Sequence, residues 1–174
     1  KVTQVSPSGE VSSLFSKSKR FAVQLGGLCD GRVKLLNVCT ISGIRASTIL
    51  LRYAAVRRQF GAHLSNESHL LDFEQYQNRV FPHIANNLVF FFASRDINNI
   101  WMRLYPESIN PKNEEATEMH ALISVMKPIV TWGINELLIE FRSAMGGWGY
   151  HKLSQIPSMI DDFQVMLTWE GDNH

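Results

Sequence analysis

An all-α fold, an up-and-down bundle of long helices, is what the sequence predicts, and three observations carry that expectation. Apolar residues recur at three- and four-residue steps over three long stretches. The segments between them are short and rich in Gly, Pro and Asn, and no two-residue alternation of comparable strength interrupts the pattern. At about 1.5 Å per residue, each helix would be roughly 40 to 50 Å long.

Residues 1–24 read as a linker or as the tail of a preceding β-domain. Lys1 to Lys19 is rich in Ser and Lys, with a thin apolar alternation at Val2, Val5 and Val11. Phe21 to Leu28 is apolar and is expected to turn on Gly26 and Gly27. Residues 25–174 then form one helical domain. Asp30 is placed to cap a first helix from Val33 to Arg58, whose stripe Ile41, Ile44, Thr48, Leu51 and Ala55 is expected to be buried. Gly43, Ser47 and Ala54 form a second face where a neighbouring helix can come close, and Gly61 ends the helix.

A second helix is expected from Ser68 or His69 to Tyr105, on the spacing of Phe73, Tyr76, Val80, Ile84 and Leu88. Phe81, Phe90, Phe91 and Phe92 widen its apolar face, so cover on more than one side is expected. After the loop Pro106 to Asn113, the third helix runs from Glu114 to Met145 on Met119, Leu122, Met126, Val130, Ile134, Leu137 and Phe141. Pro82 and Pro128 lie inside these helices and predict kinks, because proline removes a backbone donor and crowds the preceding turn. Gly146 and Gly147 stop the third helix. Pro157 opens a short segment, Ser158 to Leu167, that leads to Trp169 and Glu170. A fourth helix is wanted to close the core and would follow Asn173, so the last helix is expected to be truncated and the chain to be a fragment.

At 174 residues and 19.8 kDa, with 45% hydrophobic residues, the chain can bury one sizeable core. Seventeen basic and sixteen acidic side chains give a net charge of +1. No global field draws it to nucleic acid or to an anionic membrane, and any anion must be bound locally. No uninterrupted apolar run approaches the roughly 20 residues that cross a bilayer, so no membrane partner is expected. Cys29 and Cys39 match neither metal nor disulfide spacing and are expected to be free thiols. The six histidines do not form an H-E-x-x-H pattern, and no metal is assigned.

Four stretches carry candidate chemistry. In Thr168-Trp169-Glu170-Gly171-Asp172-Asn173 one carboxylate lies beside an aromatic and before a glycine. Burial against an aromatic raises a carboxyl pKa toward the working range of a general base, although Glu-Gly-Asp-Asn is also an ordinary polar turn. Arg57-Arg58-Gln59-Phe60-Gly61 sets two guanidinium groups, an amide and an aromatic at a helix end. They suit a pyrophosphate and a planar ring, or they offset the helix dipole. Gly146-Gly147-Trp148-Gly149-Tyr150 lets a cofactor approach backbone amides, or is a plain turn. Arg32, after Asp30-Gly31, is an anion ligand or a surface residue.

Taken in order, these pieces resemble the C-terminal helical domain of the acyl-CoA dehydrogenase and oxidase superfamily, most closely the peroxisomal acyl-CoA oxidases. The markers run from Leu25-Gly26-Gly27-Leu28 and Gly31-Arg32 through Arg52 to Gly61, Leu71-Asp72-Phe73 and His120-Ala121-Leu122. They continue with Lys127-Pro128, Thr131-Trp132, Glu140 with Arg142, Gly146-Gly147 with Gly149-Tyr150, and Glu170-Gly171-Asp172-Asn173. The resemblance implies an FAD-dependent enzyme that oxidises a fatty acyl-CoA to the trans-2-enoyl-CoA. Electrons pass to molecular oxygen and give hydrogen peroxide, as the first step of peroxisomal fatty-acid β-oxidation.

By the same resemblance, Glu170 is the base that takes the α-proton. Arg57, Gln59 and Phe60 contact FAD held mainly by a neighbouring subunit, Gly146 and Gly147 line that cofactor, Asp172 approaches FAD, and Arg32 lies near the CoA portion of the substrate. Shared cofactor contacts imply a homodimer. Phe141, Met145 and Trp148 stand where the oxidases usually carry two cysteines and a histidine, which leaves acyl chain-length preference open. Two other readings remain at this point: an acyl-CoA dehydrogenase passing electrons to a carrier flavoprotein, and a non-catalytic helical interaction domain.

Overall fold

The computed structural model describes residues 3–13, 15–63, 66–105 and 114–174. Val2 and the loop expected at Pro106 to Asn113 lie outside the described residues. A short antiparallel hairpin comes first, pairing β1 (Gln4–Val5) with β2 (Val11–Ser12). Gly9 supplies its turn at φ 83°.

Helix α1 spans Lys17–Val56, 40 residues, or about 60 Å at 1.5 Å per residue. It begins far earlier than the sequence spacing suggests. Ser16 is its N-cap, accepting from the Lys19 amide, and Asp30 lies well inside the helix. Gly26 and Gly27 do not turn the chain. Their propensity cost of about 1 kcal/mol each falls on a helix that, once nucleated, gains a hydrogen bond with every added residue. The helix therefore runs unbroken through residues 24 and 25.

The second face expected of α1, Gly43, Ser47 and Ala54, is the buried one, and the stripe expected from Ile41 to Ala55 is not. Val33, Leu36, Cys39, Ala46, Leu50 and Ala54 are buried together with Gly43 and Ser47, whereas Ile41 is 57% exposed and Thr48 and Ala55 face outward. Small residues win this face because they admit the neighbouring helix. A Cβ on Gly43 would stand 2.6 Å from the side-chain amide of Asn87. That amide, oriented to satisfy both partners, donates to the Thr40 carbonyl at 3.3 Å and accepts from the Ile44 amide at 2.9 Å. Asn87 is 2% exposed, so its polar group needs those partners.

The helix stops where Arg57 turns extended (φ −70°, ψ 127°), four residues before the expected Gly61. A second hairpin follows that the sequence did not announce, β3 (Arg58–His63) against β4 (Asn66–His69). Gly61 serves it by close approach: a Cβ there would lie 1.8 Å from the Asn66 carbonyl oxygen. A 3-10 turn, Leu70–Asp72, leads into α2, Glu74–Leu104, which therefore starts later than expected.

Tyr76 and Val80 of α2 are buried as expected, but the buried line then drifts to Asn87, Ser94, Ile97 and Trp101, leaving Leu88 47% exposed. Phe81, Val89 and Phe92 are exposed as well, so the second apolar face of α2 is not covered by the described residues. Helix α3, Glu114–Ala144, matches its expected bounds. Met119, Val130, Ile134, Leu137 and Phe141 are buried, while Leu122 gives way to Ile123. Helices α2 and α3 run through Pro82 and Pro128 as single elements. Gly146, at φ 58°, ends α3 in a conformation that side chains resist.

The last segment holds α4 (Gly147–Tyr150), a 3-10 turn at Lys152–Ser154, α5 (Ile156–Gln164) and a final 3-10 turn at Val165–Leu167. Pro157 lies in the first turn of α5, as expected. Helices α1, α2 and α3 pack pairwise and α5 packs on α3. By length and mean hydropathy, Gly27–Val56 and Glu114–Ala144 could each cross a bilayer, which counting uninterrupted runs did not reveal. Here their apolar stripes meet in the shared core.

Candidate active site and cofactor groove

Residues 165–174 form a tight turn. Its sharpest point is Glu170 at φ 55° followed by Gly171 at φ 109°. A left-handed residue other than glycine costs on the order of 1 kcal/mol, so something must hold it. The holding groups come from two helices. From α1, Arg32 donates through Nε to the Glu170 carbonyl and through Nη1 to Ser124 Oγ, both at 2.9 Å. From α3, Lys127 Nζ donates to the carbonyls of Leu167 (3.1 Å) and Gly171 and to Asn173 Oδ1 (2.7 Å). Asn173 in turn donates through Nδ2 to Thr131 Oγ1 at 2.9 Å, and its amide donates to the Leu167 carbonyl.

The Glu170 carboxylate lies on the bare face of α1 at Gly31. A Cβ on Gly31 would stand 2.6 Å from Oε1 and 3.0 Å from Oε2, so no side chain fits there without moving the carboxylate. Oε2 is shielded from solvent and has no hydrogen-bond partner. A buried carboxylate oxygen without a partner is costly to keep. Trp169, expected to wall the carboxylate, is 55% exposed; the glycine of α1 does the shielding that the sequence assigned to the aromatic.

The second assembly is an open groove of about 510 Å³ where the ends of α1 and α3 meet β3 and the start of α2. Arg57, Gln59, Gly146 and Gly147 line it, together with Arg79 and Tyr76 of α2. Arg57 is the C-cap of α1, whose last turn holds no basic residue, and Arg58 opens β3. Arg79 bonds Glu140 and donates to Ser143 Oγ, which fixes its guanidinium across the groove. The Tyr76 hydroxyl is buried without a partner, and burial pushes its pKa up to about 12. Two guanidinium groups, an amide, a glycine turn open to approach and an unpartnered hydroxyl suit an elongated anionic ligand with ring systems.

The structure thus sorts the sequence candidates into two groups. Arg57, Gln59, Gly146 and Gly147 share the groove, while Arg32 meets the Glu170 turn, where Asp172 accepts from the His174 amide at 3.2 Å. Phe60 joins neither group: it has φ 44° at the irregularity in the β3–β4 register, and its side chain is 77% exposed.

Sequence reasoning missed three residues. Arg79 was hidden because its partners lie about sixty residues away on another helix. Gly31 was read only as a neighbour of Arg32. Lys127 is 3% exposed on the buried stripe of α3, and a lysine between Ile123 and Val130 on a core face was the available signal.

A family model for the acyl-CoA oxidase C-alpha1 domain matches residues 25–174. The chain belongs to the acyl-CoA oxidase family. It is 35% identical over 175 residues to peroxisomal acyl-coenzyme A oxidase 1 of Mus musculus, covering 99% of this chain and 26% of the relative. To acyl-coenzyme A oxidase acox-3 of Caenorhabditis elegans it is 33% identical, covering 97% of this chain and 26% of the relative. Among solved structures, Arabidopsis thaliana acyl-CoA oxidase 1 superposes with a TM-score of 0.84 at 27% identity, over 99% of this chain and 26% of that one. Acyl-CoA oxidase-2 of Caenorhabditis elegans, bound with FAD, ascaroside-CoA and ATP, gives 0.85 at 25% identity with the same coverage. The chain spans about a quarter of the length of these oxidases, and the all-α architecture is that of the matching part.

Proposed function

We propose that this chain serves as the helical domain of an FAD-dependent acyl-CoA oxidase, with the residues ahead of α1 as a linker or the tail of a preceding β-domain and Glu170 as the catalytic base. The observation that carries the reading is the Glu170 carboxylate seated on Gly31 with Oε2 dehydrated and unpaired. That the relatives are named oxidases supports oxygen, over a carrier flavoprotein, as the electron acceptor.

In this reading, the Glu170 carboxylate takes the α-proton of the thioester and keeps it as a carboxylic acid while the double bond forms. FAD, when bound, would supply the hydride acceptor for the β-hydrogen and the route by which two electrons reach molecular oxygen as hydrogen peroxide. Arg32 fixes the backbone of the base, and its charge also favours the CoA portion of the substrate. Arg57, Gln59, Arg79, Gly146 and Gly147 fit the anionic part of FAD in the groove.

Phe60, left bare by its own chain, would with Arg57 and Gln59 reach FAD held mainly by a neighbouring subunit, which makes the enzyme a homodimer, and Asp172 would approach FAD. The peroxisomal names of the relatives support a peroxisomal location; neither a membrane nor a nucleic acid is a partner. The test is aerobic turnover of the full-length enzyme with a long-chain acyl-CoA. One hydrogen peroxide per trans-2-enoyl-CoA is expected. Enoyl-CoA formation that requires an added carrier flavoprotein and releases no peroxide would overturn the oxidase reading.

A further inference from the structure

Lys127 makes three hydrogen bonds, and all three acceptors lie on the few residues around Glu170. Leu167 precedes the base, and Gly171 and Asn173 follow it. An ammonium has three donors and no acceptor, so the site saturates it. A neutral amine would turn a lone pair toward one of these oxygens. The network closes on the lysine's own helix, because Asn173 donates to Thr131 Oγ1 and Thr131 donates to the Lys127 carbonyl at 2.8 Å. The groups around the ammonium are Arg32 and Cys39 of α1 and Glu170 and Asp172 of the turn. Burial, with Arg32 beside it, holds the lysine below its ordinary pKa, so the charge is maintained against a cost.

A buried lysine is an expensive way to fill a core position, and hydrophobic residues of similar volume often serve stability as well or better. Its geometry explains why it is kept. Glu170 and Gly171 both have positive φ, a conformation that relaxes unless its carbonyls are held. Arg32 holds one carbonyl from the α1 side, and Lys127 holds the carbonyls on either side of it from α3.

We propose that Lys127 is a positioning residue, a charged tripod that fixes the turn presenting the Glu170 carboxylate over Gly31. The proposal rests on the reading of Glu170 as the base. Without the ammonium the turn unwinds, and the carboxylate leaves the place where the α-carbon of the substrate arrives. An error of about 1 Å in such a placement costs about 100-fold in rate.

The test uses the full-length enzyme with Lys127→Ala and follows three readouts. Flavin bleaching by acyl-CoA without oxygen, counted per bound flavin, is expected to slow about 100-fold, while the Kd of an unreactive thioether analogue stays at the wild-type value. Amide hydrogen exchange over residues 168–174 is expected to rise. Added n-propylammonium, which matches the atoms removed, should restore both the rate and the exchange protection saturably, and n-propanol should restore neither. An unchanged bleaching rate, or a loss with unchanged exchange and no response to the amine, overturns the proposal. If Lys127→Ala does not fold, Asn173→Ala decides, since it removes one acceptor and leaves the lysine: slower bleaching with faster exchange is expected, and wild-type values of both overturn the proposal. Glu170→Gln separates the two readings. If it bleaches like wild type, the base assignment falls and the proposal with it; if it is inert while Lys127→Ala reacts normally, only the proposal falls.

Discussion

Gly31→Ala is predicted to leave the protein as stable as before, or more so, while disabling the base. Gly31 sits inside α1, where alanine is favoured over glycine by about 1 kcal/mol. The methyl group would arrive 2.6 Å from Glu170 Oε1 and 2.7 Å from Cδ, and the carboxylate, the far end of a flexible side chain, must retreat to ordinary contact at 3.4 Å. The retreat is about 0.8 Å, and a misplacement of about 1 Å costs about 100-fold in rate. Stability and rate should therefore move in opposite directions. The assay pairs urea unfolding of the full-length enzyme with anaerobic stopped-flow bleaching of its flavin by acyl-CoA. Bleaching within threefold of wild type would refute the claim that the bare face of Gly31 places the carboxylate. So would a loss of rate that merely follows a loss of bound FAD.

Other outcomes follow from the same geometry. Arg79→Ala should lower FAD content and, because Glu140 and Ser143 lose their shared partner, leave acyl-CoA affinity of the flavin-loaded fraction unchanged; flavin absorbance per protein checks it. Gly43→Ala should destabilise by about 1–3 kcal/mol, since the new methyl would displace the Asn87 amide from Thr40 and Ile44 and strand buried polar groups; the urea midpoint measures it.

Stability should also fall on the alkaline side. Burial raises the Cys39 thiol from 9.0 to about 12 and the Tyr76 hydroxyl from 10.0 to about 12. With folded-state values above the unfolded ones, the unfolded chain ionises first. The contribution is complete below pH 9 and is lost as pH rises toward 12. For Cys39 the three units, at about 1.4 kcal/mol each, amount to roughly 4 kcal/mol. Cys39→Ala should flatten the decline from pH 9, and an unflattened curve would contradict the assignment.

The parts of the fold that were legible in the sequence are those set by helical spacing alone. Helix α3 came out with its bounds and most of its buried line because its apolar residues keep one register over the whole length. Helix α1 was legible in part: its small face, Gly43, Ser47 and Ala54, is where the neighbour approaches, as expected, while the stripe of larger residues from Ile41 to Ala55 was assigned to the core and is not buried. The β3–β4 hairpin depends on backbone pairing and on one close approach at Gly61, neither of which leaves a periodic trace.

For the site, residue types and their order pointed to Glu170 and to the Arg57–Gln59 and Gly146–Gly147 pairs. What the sequence withheld was the support: Lys127, Gly31 and Arg79 act through partners distant in the chain. For Arg32, which the sequence left as an anion ligand or a surface residue, the hydrogen bond to the Glu170 carbonyl lies far beyond any local window.

The most direct measurement is anaerobic mixing of full-length wild type and Glu170→Gln with a long-chain acyl-CoA, following flavin absorbance. Rapid bleaching in wild type and its loss in Glu170→Gln, at equal FAD content and equal affinity for an unreactive acyl-CoA analogue, is the predicted result. Equal bleaching in both proteins would contradict the assignment of Glu170 as the base.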